Sequence, residues 1–192
     1  MWLFWNKGFH ATSMDDLVQA TKVSRGGIYA DFGGKKKVFM ACLQHYRDNI
    51  VTPAFSRVEA EGADLSAIAS FFDYQLSRIA ETGIPGPGCL IGNSLTEIAP
   101  HDDDIHAAVE AHNIRLKNGF STALHNQCSA ARAQGAGGHL SDEEIEQVAL
   151  FLVTSAQGLW ATSRSTNDIS VLQQYAHMLI ELVAEKIKGT RI

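Results

Sequence analysis

From Lys35 to about Glu59 the apolar residues Val38, Phe39, Cys42, Leu43, Tyr46 and Ile50 fall on one face at helical spacing. Alternating β-branched runs, the mark of half-buried strands, are nearly absent. Ala, Leu, Ile, Gln and Glu dominate the longer stretches, and only four prolines interrupt 192 residues. The chain is therefore expected to be all-α. Its length suits one large domain or two small ones and buries a core without covalent staples.

Caps and breakers divide the helices. Residues 2–8 read as the end of a helix stopped by Gly8. Thr12 or Ser13 caps a second helix with Asp15 and Asp16 in its first turn, where the helix dipole favours anions. Thr21-Lys22-Val23 breaks it, Ser24 caps a third helix from Arg25 to about Phe32, and Gly33-Gly34 ends that one. Ile28 and Phe32 are assigned to the core. The fourth helix runs from Lys35 to about Glu59, with Pro53 as a kink or a break. Further helices are expected over 65–82, 89–98, from 100–104 to Ala133 (a break near His112 being one option), 142–164 behind a Ser141/Glu144 capping box, and from Asn167 or Asp168 to Gly189. The stretches 83–88 and 135–138 are loops.

Charge is uneven along the chain. Residues 1–50 hold seven Lys/Arg against four Asp/Glu, a net +3, and the remainder hold nine against seventeen, a net −8. A basic head on an acidic body suits contact with a polyanion at one end. The three cysteines, Cys42, Cys89 and Cys128, are odd in number and form no C-x-x-C pair, which points to a reducing compartment and a cytoplasmic location. No apolar run approaches the roughly 20 residues of a bilayer span, and the apolar start is too short for a signal peptide. No membrane partner is expected.

The segment from Thr12 to Lys36 carries the functional reading. Two short helices with a tight link form a helix-turn-helix, the second entering the major groove by its N-terminus. Ser24 caps that second helix. Gly26 and Gly27 allow close backbone approach, and Arg25 can donate to phosphate or bidentately to guanine. Tyr29, four residues on, shares the face of Arg25 and can reach a phosphate. Thr12 offers a hydroxyl and amides at a helix N-terminus, and Lys35 and Lys36 open the next helix as a basic patch extended by Lys37. The plainer reading makes Ser24 and Thr12 caps, Tyr29 a core aromatic and the lysines a solvated face.

The run Gly8-Phe9-His10-Ala11-Thr12-Ser13-Met14-Asp15-Asp16-Leu17, followed by Val23-Ser24-Arg25-Gly26-Gly27-Ile28-Tyr29-Ala30-Asp31-Phe32-Gly33-Gly34-Lys35, resembles the DNA-binding domain of the TetR/AcrR family of bacterial regulators. The resemblance implies an all-helical homodimer of roughly nine helices, with an N-terminal three-helix domain (1–46) and a C-terminal ligand-binding and dimerisation bundle (47–192). It also implies a basic arm and most of a first helix ahead of Trp2; almost nothing precedes Trp2 here, so the arm and part of the first helix are expected to be missing through a truncated start, or the first helix is short, and Trp2, Phe4 and Trp5 would be a liability if exposed. The family often has acidic residues at the positions of Lys36 and Lys37.

The C-terminal region resembles one branch of these sensor domains through Gly88-Cys89-Leu90-Ile91-Gly92-Asn93, Glu97 and Gln157-Gly158-Leu159-Trp160 near Arg164. Phe72, Gln75, Cys89, Asn93, Glu97, Phe120 and Trp160 are the candidates for a cavity holding a small-molecule effector, against the plainer reading of aromatics as core and polars as surface. Cys89 follows a Gly/Pro loop at a helix N-terminus, where the dipole lowers a thiol pKa, or is simply a small buried residue. His101-Asp102-Asp103-Asp104-Ile105-His106 matches no firm metal spacing and reads as a solvated helix start. No metal or cofactor is expected, and no pair but Cys89 with a distant His could serve an enzyme, so none is expected.

The helices at about 142–164 and 168–188 are expected to form the dimer bundle through Ile145, Val148, Leu152, Leu159, Ile169, Leu172, Leu179 and Val183. The expected function is a ligand-responsive regulator, a repressor released from a double-stranded operator by its effector. The alternatives are a helix-turn-helix protein-interaction module and a thiol-based redox or electrophile sensor using Cys89.

Overall fold

The computed structural model describes residues 1–189, and these form helices and loops with no strand among the described residues. The helices are α1 (Trp2–Lys7), α2 (Met14–Thr21), α3 (Arg25–Phe32), α4 (Lys35–Tyr46), α5 (Thr52–Phe55), α6 (Leu65–Thr82), α7 (Leu90–Glu97), α8 (Asp103–Ala133), α9 (Asp142–Thr162) and α10 (Ile169–Lys188). A π-helical turn, Arg47–Val51, joins α4 to α5, and a 3₁₀ turn, Ala99–His101, precedes α8. A helical proline removes a donor and crowds the carbonyl four residues back. The wide turn just before Pro53 accommodates this, and the rod ends at Phe55 rather than near Glu59. Helix α8 runs unbroken through His112.

The chain packs as two compact units. The first comprises Met1–Thr52 with Pro87–His112, and the second Pro53–Gly86 with the described residues from Asn113 onward. The first unit thus runs past α4 to Thr52 and takes in α7 and the start of α8.

In the first unit α1 stops at Gly8, whose φ of 84° suits glycine and whose N–H returns to the Phe4 carbonyl. Ser13, not Thr12, caps α2, in a reciprocal box with Asp16. Phe4 packs edge-on against Phe39 at 5.0 Å, and Trp5 against Tyr46 at 5.0 Å, while the Trp5 indole N–H donates to the Gly88 carbonyl at 2.9 Å. Phe4 and Trp5 are thus buried by a first helix of six residues, and exposed Trp2 stacks on Trp5. Ile28 is core as expected. Phe32, the last residue of α3 before the left-handed turn at Gly33, is 44% exposed, so helical spacing overstated the reach of the buried stripe.

The second unit is built around rings. Phe55 lies 5.3 Å from both Phe71 and Phe120, edge-on to each, and Phe71 meets Trp160 at 6.3 Å. Ser141 and Glu144 form the expected capping box on α9. Ile145, Val148, Leu152, Leu159, Leu172, Leu179 and Val183 are buried within the one chain, and Ile169 half so. They are therefore intrachain core and not a free dimer stripe. The apolar residues that α9 and α10 leave exposed are Leu150 (57%), Phe151 (46%), Val171, Tyr175 and Met178 (51%).

Candidate nucleic-acid interface

Helices α2 and α3 and the three residues between them make the helix-turn-helix. Lys22 takes the left-handed conformation (φ 60°) that reverses the chain after α2. Ser24 caps α3, its hydroxyl accepting from the Gly27 N–H at 3.1 Å. Of the two glycines, Gly27 answers to an internal demand: a Cβ there would stand 2.8 Å from the Val23 side chain. Gly26 faces open space, with nothing nearer to an added Cβ than the Ser24 hydroxyl at 4.0 Å. Arg25 and Tyr29 stand exposed one turn apart, and Ile28 alone of α3 is buried. Tyr29 is accordingly not the core aromatic of the plainer reading.

Three of the expected phosphate contacts are otherwise engaged. Thr12 is fully buried, its hydroxyl donating to the Gly8 carbonyl at 2.6 Å, because the link between α1 and α2 folds over it. The Lys35 ammonium donates to the carbonyls of Phe9 and Thr12, each at 2.9 Å, and sits 4.3 Å over the Phe9 ring. It ties the α1–α2 link to the start of α4. Lys36 lies 2.7 Å from an Asp102 oxygen and 2.8 Å from an Asp104 oxygen. The hydrogen bonds that Lys36 donates to these carboxylates raise the lysine's pKa and lower theirs. The other Asp102 oxygen accepts the Ile105 N–H at 3.1 Å, so one carboxylate caps α8 and grips α4. The acidic run at 102–104 is thus not a merely solvated helix start, and the exposed cation of α4's first turn is Lys37.

Two acids lie within the motif, in the first turn of α2. Asp16 accepts the Ser13 backbone N–H at 2.8 Å and pairs with Lys7 at 3.0 Å, contacts that hold its carboxyl at about 2. Asp15 meets the Arg25 guanidinium at 2.7 Å.

Residues 1–42 match the model of the bacterial regulatory proteins, tetR family. The match takes in α1 to α3 and most of α4. The chain is similar over most of its length to the HTH-type transcriptional repressor ComR of Escherichia coli K12, with 28% identity over 98% of this chain and 87% of that protein. It is 23% identical to the uncharacterised regulator YezE of Bacillus subtilis 168 over 94% of this chain and 90% of YezE. Among solved structures, a TetR regulator from Chloroflexus aurantiacus superposes with a TM-score of 0.77 at 20% identity, covering 95% of this chain and 89% of its own. A cysteine mutant of CifR complexed with 26-bp operator DNA superposes with a TM-score of 0.76 at 20% identity, covering 93% and 90%. The relatives are transcription regulators and not enzymes.

The seven effector candidates fall in different units. Cys89, Asn93 and Glu97 belong to the first. Cys89 caps α7, its sulfur accepting the Gly92 N–H at 3.4 Å, yet burial pushes the thiol pKa up, overriding the helix terminus. Burial likewise holds the Tyr46 hydroxyl beside it well above its usual range. A neutral buried thiol argues against the redox-sensor reading. The Asn93 amide donates to the Pro87 carbonyl at 2.8 Å, and Glu97 accepts the His10 N–H at 2.8 Å while lying against Gly8. Asn93 thus braces the loop leading into α7, and Glu97 ties α7 to the link between α1 and α2.

Phe72, Phe120 and Trp160 gather around Phe71 in the second unit, and Gln75 is half-buried on α6. Phe72 also floors a groove of about 360 Å³ between α6 and α10, rimmed by Asp73, Ser77, Gln173 and His177. A second groove, about 200 Å³, lies between α9 and α10 at Gly158, Thr162, Val171 and Tyr175. Among the described residues no group of three His, Cys, Asp or Glu side chains could hold a metal ion, and no helix is long and apolar enough to cross a membrane. Sequence reasoning missed the Arg25–Asp15 and Lys36–Asp102/Asp104 pairs. The second had a signal, an acidic triplet at 102–104 matching the basic triplet at 35–37.

Proposed function

We propose that the protein is a homodimeric repressor that binds duplex operator DNA through α3 and releases it when a small molecule binds the second unit. The observation that carries this reading is the exposed face of α3, where Ser24, Arg25, Gly26 and Tyr29 stand free of the core around the single buried Ile28. That is the surface a recognition helix needs in the major groove. CifR takes duplex operator DNA in its structure, and ComR carries the name of a repressor, which supports the same partner and sign here. Lys37, exposed on α4, joins the phosphate contacts in place of Lys35 and Lys36. The N-terminal domain responsible corresponds to the first unit, with the ligand-binding and dimerisation part in the second.

The dimer forms through the exposed face of α9 and α10, with Leu150, Phe151, Val171, Tyr175 and Met178 meeting their copies. The effector enters against the ring cluster of Phe72, Phe120 and Trp160. It lowers DNA affinity only by as much as it prefers the unbound head arrangement, and DNA lowers effector affinity by the same factor. The test is a mobility-shift titration against the gene's own upstream region over a range of salt. Wild type should retard it with a steep salt dependence, and Arg25→Ala should weaken specific binding by ~1–3 kcal/mol without unfolding the chain. Unchanged affinity in Arg25→Ala would remove α3 from the interface.

A further inference from the structure

We infer that Asp15 is a specificity-setting positioning residue that presents the Arg25 guanidinium to the DNA and penalises duplexes that do not engage it. The inference rests on the DNA-binding reading above. Two acids sit in the first turn of α2, and the structure divides their labour. Asp16 does the local work: it closes the capping box with Ser13 and pairs with Lys7. Helix α2 is fully capped without Asp15, whose side chain is 84% exposed and meets Arg25 of the neighbouring helix at 2.7 Å.

Arg25 needs such a partner. It is the first residue of α3, where the helix dipole presents positive charge and disfavours a cation. It is also 58% exposed and, as a long flexible chain, would otherwise sample many rotamers. The carboxylate offsets the dipole and narrows those rotamers on the surface that α3 offers. A fixed planar fork reads a base edge bidentately, whereas a mobile one behaves as a point charge for any phosphate. The negative charge of Asp15, exposed beside the same surface, also repels the phosphate backbone once Arg25 turns to the DNA. A duplex is bound well only if its contact with Arg25 exceeds that repulsion.

The experiment starts by enriching a duplex from a randomised pool with the wild-type protein. Dissociation constants are then measured by fluorescence anisotropy for the enriched duplex and for a scrambled duplex of the same length, in wild type, Asp15→Asn, Arg25→Ala and the double variant. Asp15→Asn should bind the scrambled duplex several-fold tighter. Its enriched-to-scrambled ratio should fall by about three- to tenfold, part of the discrimination that one bidentate base contact supplies. Asp15→Glu, which keeps the charge, should restore the weak binding of scrambled DNA. In the Arg25→Ala background Asp15→Asn should no longer change the ratio. Equal tightening of both duplexes would show Asp15 to be a repulsive charge only and would overturn the positioning role. The same ratio loss with and without Arg25 would overturn the route through Arg25. A wild-type protein that enriches no duplex would instead remove the DNA-binding reading itself.

Discussion

Replacing Gly119 by alanine sets two effects of known size against each other. Gly119 lies inside α8, and alanine in a helix interior is favoured over glycine by about 1 kcal/mol. A Cβ at this position would stand 2.6 and 2.7 Å from two ring atoms of Phe55. Carbon atoms prefer about 3.5–4.0 Å, so the overlap approaches an ångström. The ring has no room to yield: Phe55 is fully buried, with Phe71 and Phe120 each edge-on at 5.3 Å. Overpacking of such a core costs about 1–3 kcal/mol. An overlap of nearly an ångström against an immobile ring belongs in the upper half of that range, about 2–3 kcal/mol, so with the propensity gain of about 1 kcal/mol subtracted we expect Gly119→Ala to lose about 1–2 kcal/mol net. For a chain of this length that is a fall in Tm of roughly 2–8 °C. Thermal unfolding followed by circular dichroism at fixed protein concentration reads it. Gly158→Ala in α9, where an added Cβ meets nothing within 4 Å, is the internal contrast and should raise stability in the monomer. A Gly119→Ala protein melting at or above wild type would refute the close approach of α8 to Phe55.

Three further outcomes are expected. Phe151→Asp, on the exposed face of α9, should convert a micromolar dimer to a folded monomer by sedimentation velocity. Lys35→Met should lower stability by about 1–3 kcal/mol, because the Phe9 and Thr12 carbonyls lose a charged donor, and thermal melts of variant and wild type measure this. The Asp16 carboxyl titrates near 2 in the folded chain against an ordinary 3.8, so its contribution to stability is complete above about pH 4 and disappears as pH falls through 2. Acid unfolding curves of Asp16→Asn should accordingly be flatter than wild type across that window.

The sequence made the helix-turn-helix legible because its determinants are local. Ser13 with Asp16, Ser24 ahead of Gly27, and the glycines at 8 and 33 act within a turn of where they stand. The capping box at Ser141 and the loop at 83–88 were readable for the same reason. Contacts across the fold were not. Lys35 and Lys36 look alike in sequence as a basic patch, and only the packing of distant segments shows one bound to two carbonyls and the other to Asp102 and Asp104. Helical spacing also failed to say which apolar face of α9 is inward. Ile145, Leu152 and Leu159 filled the core of one chain, and Leu150 and Phe151 were left outside. For Cys89 the sequence offered both a helix-terminal thiolate and a small buried residue, and only the packing shows the burial that raises its thiol pKa.

Asp102 carries two duties on two oxygens, and chemistry allows them to be separated. Asparagine caps a helix about as well as aspartate, through a side-chain oxygen placed in the same way. It bears no charge, so it would keep the Ile105 N–H and loosen Lys36. Asp102→Asn is therefore a route by which natural variation could slacken α4's hold on α8 while leaving both helices intact. Drift at this position would tune the regulator before it broke the fold.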